Sequence, residues 1–170
     1  MLKKTLFFYF FSFLTPLLCL PLPACAEDGK DLFAAALSGK PERVSSIMAQ
    51  GVDVNSKTEL DRTALMAACF NGNLRIVKIL LSYGADVNAA DKAGITALSD
   101  AVMFGNAEVV NLLIAAGANV NAADTQNINI MDKAKKLNRE NIIKILETAG
   151  AKATESKPVE KTPPPAEEKK

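Results

Sequence analysis

The chain contains no histidine among its 170 residues. The side chain that most often acts as a general base, and the commonest nitrogen ligand for metals, is therefore missing. Of the cysteines, only Cys69 lies beyond the leader-like segment that ends at Ala26. With that segment removed, neither a cysteine metal site nor an internal disulfide can form. No glycine-rich phosphate cradle occurs. The stretch Gly84 to Asp91, GADVNAAD, has the polarity of a calcium loop, but its acids recur at one fixed interval, Asp53 with Asp86 and Asp91 with Asp124. Such recurrence suits turn formation better than metal binding. The residues thus predict no catalytic group, no metal and no cofactor.

The recurrence extends to the elements that would position any site. Gly51, Gly84, Gly117 and Gly150 are evenly spaced, and Gly39, Gly72, Gly105 and Asn138 keep the same step. Leu32, Leu65, Leu98 and Met131 form a third column, and Ala35, Ala68, Ala101 and Ala134 a fourth. A period of this length is the mark of a repeat architecture. Within each unit, Thr63 or Thr96 can cap a short helix carrying Leu65, Ala68 and Cys69 or their counterparts. Gly72 ends it, as a residue tolerant of left-handed geometry. Ile76, Val77, Leu80 and Leu81 give a second helix one apolar face, and Gly84 closes that one. Asp91-Lys92-Ala93-Gly94 has turn chemistry. Each unit is too small to bury its own apolar face, so only stacked neighbours provide a core.

These residues resemble the ankyrin repeat family. The resemblance is carried by RTALMAACFNGNLRIVKILLSYGADVNAAD (62–91) and ITALSDAVMFGNAEVVNLLIAAGANVNAAD (95–124), with partial copies at 31–55 and 128–152. The family's usual Thr-Pro-Leu-His reads Thr63-Ala64-Leu65-Met66 and Thr96-Ala97-Leu98-Ser99 here. The resemblance implies an all-α solenoid over residues 27–151. It divides into four helix–turn–helix units with extended hairpin-like turns, at about 28–57, 58–90, 91–123 and 124–151. The columns Met48, Leu81, Ile114 and Ala36, Cys69, Val102 turn ionic at Glu147 and Lys135. A surface facing no further unit must avoid burying such charges unpaired, so the fourth unit reads as a terminal cap and the first as its opposite. Cys69 is expected to be a small buried hydrophobe. Asp100, where earlier units have Ala34 and Ala67, is expected to meet Lys133 in a surface ion pair contributing about 0–1 kcal/mol.

With 49% apolar and 23% charged residues the chain reads as one soluble domain with appendages. Residues 27–151 carry 13 basic against 15 acidic side chains. No basic stripe is present to neutralise a row of phosphates, so nucleic acid is not an expected partner. Residues 1–26 have the form of a secretory signal: Lys3 and Lys4, an apolar stretch of about 15 residues, then Ala24-Cys25-Ala26 before Glu27. An alternative is lipidation at Cys25 within Leu22-Pro23-Ala24-Cys25; a third is an uncleaved anchor. All three place the protein outside the cytosol, and membrane association is expected only with a lipid or an anchor. The tail 152–170, rich in Pro, Glu and Lys, is expected to be a disordered, solvated extension.

What the family resemblance implies about binding concerns the columns that vary. The turn-tip positions are Glu59, Leu60 and Arg62; Lys92, Ala93 and Ile95; Thr125, Gln126 and Ile128. Positions late in the inner helices are Phe70 and Asn71, Met103 and Phe104, Lys136 and Leu137. Grouped Phe70, Ile95, Met103, Phe104 and Ile128, rimmed by Glu59, Arg62, Lys92 and Lys136, would make a protein-docking patch. Half-buried packing of Phe70 and Phe104 is the alternative. The expectation is a monomeric, non-enzymatic interaction module of the periplasm or envelope that holds a folded protein and no small-molecule substrate. One version inhibits or protects an exported enzyme. Others are a lipid-anchored envelope or stress protein, and a secreted effector that binds a host protein.

Overall fold

The computed structural model describes residues 29–153. The expected signal segment 1–26 with its alternative lipidation site Cys25, and the expected disordered tail beyond 153, lie outside the described residues. Among the described residues eight helices follow one another: α1 (Gly29–Leu37), α2 (Pro41–Ala49), α3 (Ala64–Phe70), α4 (Leu74–Ser82), α5 (Ala97–Phe104), α6 (Ala107–Ala115), α7 (Ile130–Lys136) and α8 (Glu140–Thr148). Between the pairs the chain runs out into hairpin-like arms. Isolated antiparallel bridges close two of these, Ala90 with Thr96 and Ala123 with Asn129.

The helix boundaries come from local chemistry. Thr63 accepts a hydrogen bond from the Met66 amide at 3.4 Å, and Thr96 accepts from the Ser99 amide at 3.3 Å. Asn129 does the same for the Asp132 amide at 2.7 Å. Each satisfies a backbone donor that the first helical turn leaves unpaired. Pro41 opens α2 at a position where its missing N–H costs nothing. At the other end, Gly72 adopts φ +66° and Gly105 φ +80°.

Two rows result. The first helices of the pairs, α1, α3, α5 and α7, pack in succession, and each is backed by its second helix, α2, α4, α6 or α8. The Leu32, Leu65, Leu98 and Met131 column is buried throughout, and so is the Ala35, Ala68, Ala101 and Ala134 column. The small alanines let neighbouring first-row helices approach, while the leucines fill the space behind them. Ile47, Leu80, Leu113 and Leu146 bury the second row against the first. Each large side chain so buried contributes about 1.5–3 kcal/mol. Lys135 and Glu147 are exposed, as suits the end of a stack.

Two ladders of polar side chains stitch the units together. Asn55 accepts from the Asp86 amide at 2.7 Å, Asn88 from the Asn119 amide at 2.7 Å, and Asn121 from the Lys152 amide at 2.8 Å. Asn55 and Asn88 also donate to the carbonyls of Gly84 and Gly117. The second ladder runs the other way. Asn71 donates to the Leu37 carbonyl, Asn106 to the Cys69 carbonyl at 3.0 Å, and Arg139 to the Met103 carbonyl at 3.1 Å. These carbonyls belong to the ends of first-row helices, where no intrahelical partner exists.

The second ladder explains why two turns require glycine. A Cβ on Gly72 would stand 2.5 Å from the Asn106 side chain, and one on Gly105 2.9 Å from the Arg139 guanidinium. At Gly84, by contrast, nothing lies within 4 Å. Gly84→Ala should therefore cost only the left-handed backbone penalty, about 1–2 kcal/mol. Gly72→Ala should cost more, by about 1 kcal/mol, because it also displaces the Asn106 amide. Urea denaturation of the two variants checks this; equal losses would show that the Asn106 contact contributes nothing.

Candidate functional site

Two of the arms are built on one acid each. Asp91 accepts hydrogen bonds through Oδ1 from the amides of Ala93 and Ile95, both at 2.9 Å. Asp124 does the same for Gln126 at 2.9 Å and Ile128 at 3.0 Å. In the arm before them, Thr58 takes that place and accepts from the Arg62 amide at 3.2 Å. The turn closes on Gly94, whose amide bonds the Asp91 carbonyl at 2.9 Å. Asp61 and Asn127 hold the equivalent position, both at φ 60°, left-handed geometry that Asp and Asn tolerate better than most residues. Successive tips are bonded to each other: the Lys92 amide to the Leu60 carbonyl at 3.2 Å, and the Thr125 amide to the Ala93 carbonyl at 3.0 Å. Glu59 and Leu60, Lys92, and Thr125 with Gln126 are thus exposed on one row of fingers.

Two grooves run between these fingers and the first-row helices. One, of about 420 Å³, is lined by Met103, Phe104, Ile128, Lys133, Lys136 and Leu137. It brings together five residues singled out from sequence, Met103, Phe104, Ile128, Lys136 and Leu137. The other, of about 320 Å³, lies at the start of the stack and gathers Glu59, Leu60 and Arg62 with Lys30, Phe33 and Thr58. Phe70 and Phe104 touch, with ring centroids 4.1 Å apart and planes at 53°. They remain 39% and 44% exposed, so the pair braces two units and still presents aromatic surface. Lys92, Thr125 and Gln126 line neither groove, and Ile95 is half-buried beneath its finger. Asn71 uses its amide on the Leu37 carbonyl. Leu37, 44% exposed, continues the apolar run beyond Phe70. Sequence reasoning passed over it, although Leu37 stands in the Phe70 column.

A family model for ankyrin repeats, in three copies, matches residues 32–124. The chain belongs to the ankyrin repeat family. The fourth pair, α7 and α8, lies beyond the matched residues yet repeats the capping, the finger and the stitches of the others. No curated protein matches the chain. Ankyrin repeats are in general protein–protein interaction modules, and the family is typically non-enzymatic.

Within this ankyrin stack the expected surface pair of Asp100 and Lys133 is corrected. Both residues are buried, and they take different partners. Lys133 Nζ lies 2.9 Å from Asp124 Oδ2, on the finger of its own unit. Asp100 is contacted by Arg62 Nη2, which reaches across from an earlier arm; Arg62 Nη1 also stands 3.9 Å from Asp91 Oδ2. The reason is geometric. A finger folds back over the start of its helix, so a finger residue is nearer a first-row side chain than another helix is. Two carboxylates therefore share one guanidinium at a site where Asp100 is only 2% exposed. Burial raises the Asp100 carboxyl to about 6; Arg62 partly offsets this and Asp91 adds to it. Asp124 goes the other way. Its burial pushes upward, but Lys133 and the Ile128 and Gln126 amides outweigh that and hold it below the ordinary value.

Cys69 is fully buried, as its column implied. Burial, reinforced by the Asp100 charge, pushes its thiol far above the ordinary range. It stays protonated at neutral pH and is no nucleophile. Among the described residues no cluster of acidic or cysteine side chains could hold a metal ion.

The raised carboxyl has a signed consequence. Folded Asp100 binds its proton more tightly than the unfolded chain does. Its contribution to stability is therefore greatest in acid and falls as pH rises from the ordinary 3.8 to about 6. Asp100→Asn keeps an acceptor for Arg62 but has no charge to bury. Between about pH 4 and pH 7 the native chain should lose on the order of 2–3 kcal/mol relative to this variant. Paired urea titrations across that range check it; parallel pH profiles would contradict the assignment.

Proposed function

We propose that this ankyrin repeat protein is exported and works by holding a folded protein against its fingers and first-row helices, with no reaction of its own. The observation that carries the reading is the groove of Met103, Phe104, Ile128, Lys136 and Leu137. Its lining is largely apolar, it is open to solvent, and Phe104 and Leu137 keep much of their surface exposed beside it. Aromatic and methionine side chains on such a face are the ones that dominate binding energy when a partner covers them. Export rests on the leader-like composition of residues 1–26, with its small-residue cut site before Glu27. The setting we favour is the periplasm or cell envelope, with the partner an exported enzyme that is inhibited or protected. Leu22-Pro23-Ala24-Cys25 keeps one second reading in play, a lipid-anchored envelope protein.

Affinity capture from the source organism's own envelope extract tests the docking face. Replacing Met103 and Phe104 together by Ser should weaken partner capture by at least about tenfold, the equivalent of roughly 1.4 kcal/mol. Thermal unfolding should move by only a few degrees, since both side chains are partly exposed. Undiminished capture would remove the groove from the docking surface. The intact mass of the mature protein distinguishes cleavage after Ala26 from acylation at Cys25.

A further inference from the structure

The groove between α5 and α7 has a chemistry of its own. Its interior is apolar: Met103 and Ile128 are half-buried within it, and Phe104 and Leu137 stand as walls, 44% and 43% exposed. A volume of about 420 Å³ lies at the small end of the range for binding pockets. It suits one or two bulky side chains and is too small for a broad globular surface. The charges around it are unequal. Lys133 is balanced by Asp124 at 2.9 Å, and Asp124 is itself held in place by the Gln126 and Ile128 amides through its other oxygen. Lys136, exposed at the rim, makes no ion pair among the described residues. An apolar cleft is thus bordered by a lysine whose charge no carboxylate contacts.

We infer that this groove accepts an acidic segment of the partner protein, seating a bulky apolar side chain between Phe104 and Leu137 while a flanking carboxylate meets Lys136. The inference rests on the docking reading above and adds the chemistry of the partner. The apolar insertion supplies most of the affinity, because it removes four large side chains from water. The rim charge supplies discrimination and speeds encounter, and salt weakens both effects. Basic segments of the same apolar content are rejected by like charge.

The test uses two fluorescein-labelled peptides, Asp-Glu-Leu-Phe-Asp-Glu and Lys-Arg-Leu-Phe-Lys-Arg, read by fluorescence polarisation against the full chain. The acidic peptide should bind at least about tenfold more tightly at low salt, and the gap should narrow in high salt. Lys136→Glu should reverse the order of the two peptides, which simple loss of folding would not do. Met103→Ser should weaken the acidic peptide at both salt concentrations. Equal binding of the two peptides, preference for the basic one, or no binding of either overturns the inference. If the Met103 and Phe104 double variant still loses its native partner in that event, the docking face stands and only the acidic chemistry falls.

Discussion

Helices of seven to nine residues are too short to persist alone in water, where about 12–15 are needed even for favourable sequences. Every helix here depends on the next one along. The dependence is met by a narrow column of alanines, Ala35, Ala68, Ala101 and Ala134, flanked by the Leu32, Leu65, Leu98 and Met131 column. Small residues bring the backbones close enough for the large ones to mesh. Once the backbones are that close, amide side chains can reach the neighbouring unit, and the two stitching ladders become available. Apolar contact thus sets the spacing at which the ladders can form, and the ladders and the packing specify the same register.

Much of this was legible in the amino-acid sequence, and the reason is that each signal was local or periodic. Helix starts at Thr63 and Thr96, stops at Gly72 and Gly105, and the turn at Asp91 to Gly94 are all written within a few residues of where they act. The buried columns needed only the period. Lys135 and Glu147, the ionic members of their columns, are likewise exposed in the last described pair. The stitches were less visible because their partners are backbone groups of the neighbouring unit, far off along the chain, and any residue type offers a carbonyl. Asn55, Asn88 and Asn121 do stand at the repeat spacing, but spacing alone does not say which atoms they meet.

The ionic residues resisted the sequence most. Reading Asp100 and Lys133 as partners assumed that two helices face each other across water. In the folded chain the fingers intervene, exclude solvent and supply their own ions, Arg62 for Asp100 and Asp124 for Lys133. Arg62 illustrates the difficulty well. Its column suggested a recognition residue, yet its guanidinium is engaged by Asp91 and Asp100, and only part of it remains accessible. Met103, Phe104, Ile128 and Lys136 were easier to place together, since all four fall where the finger of one unit meets the helix of another.

The reverse ladder ends on main-chain oxygens, those of Leu37, Cys69 and Met103. An oxygen of that kind is present whatever side chain the residue carries. Two of these three, Leu37 and Met103, also contribute side chains to the open face. At their accepting ends, the cross-links thus leave the side chains of Leu37 and Met103 out of the bond. Mutation at those two positions can rewrite what the wall recognises without loosening the masonry behind it.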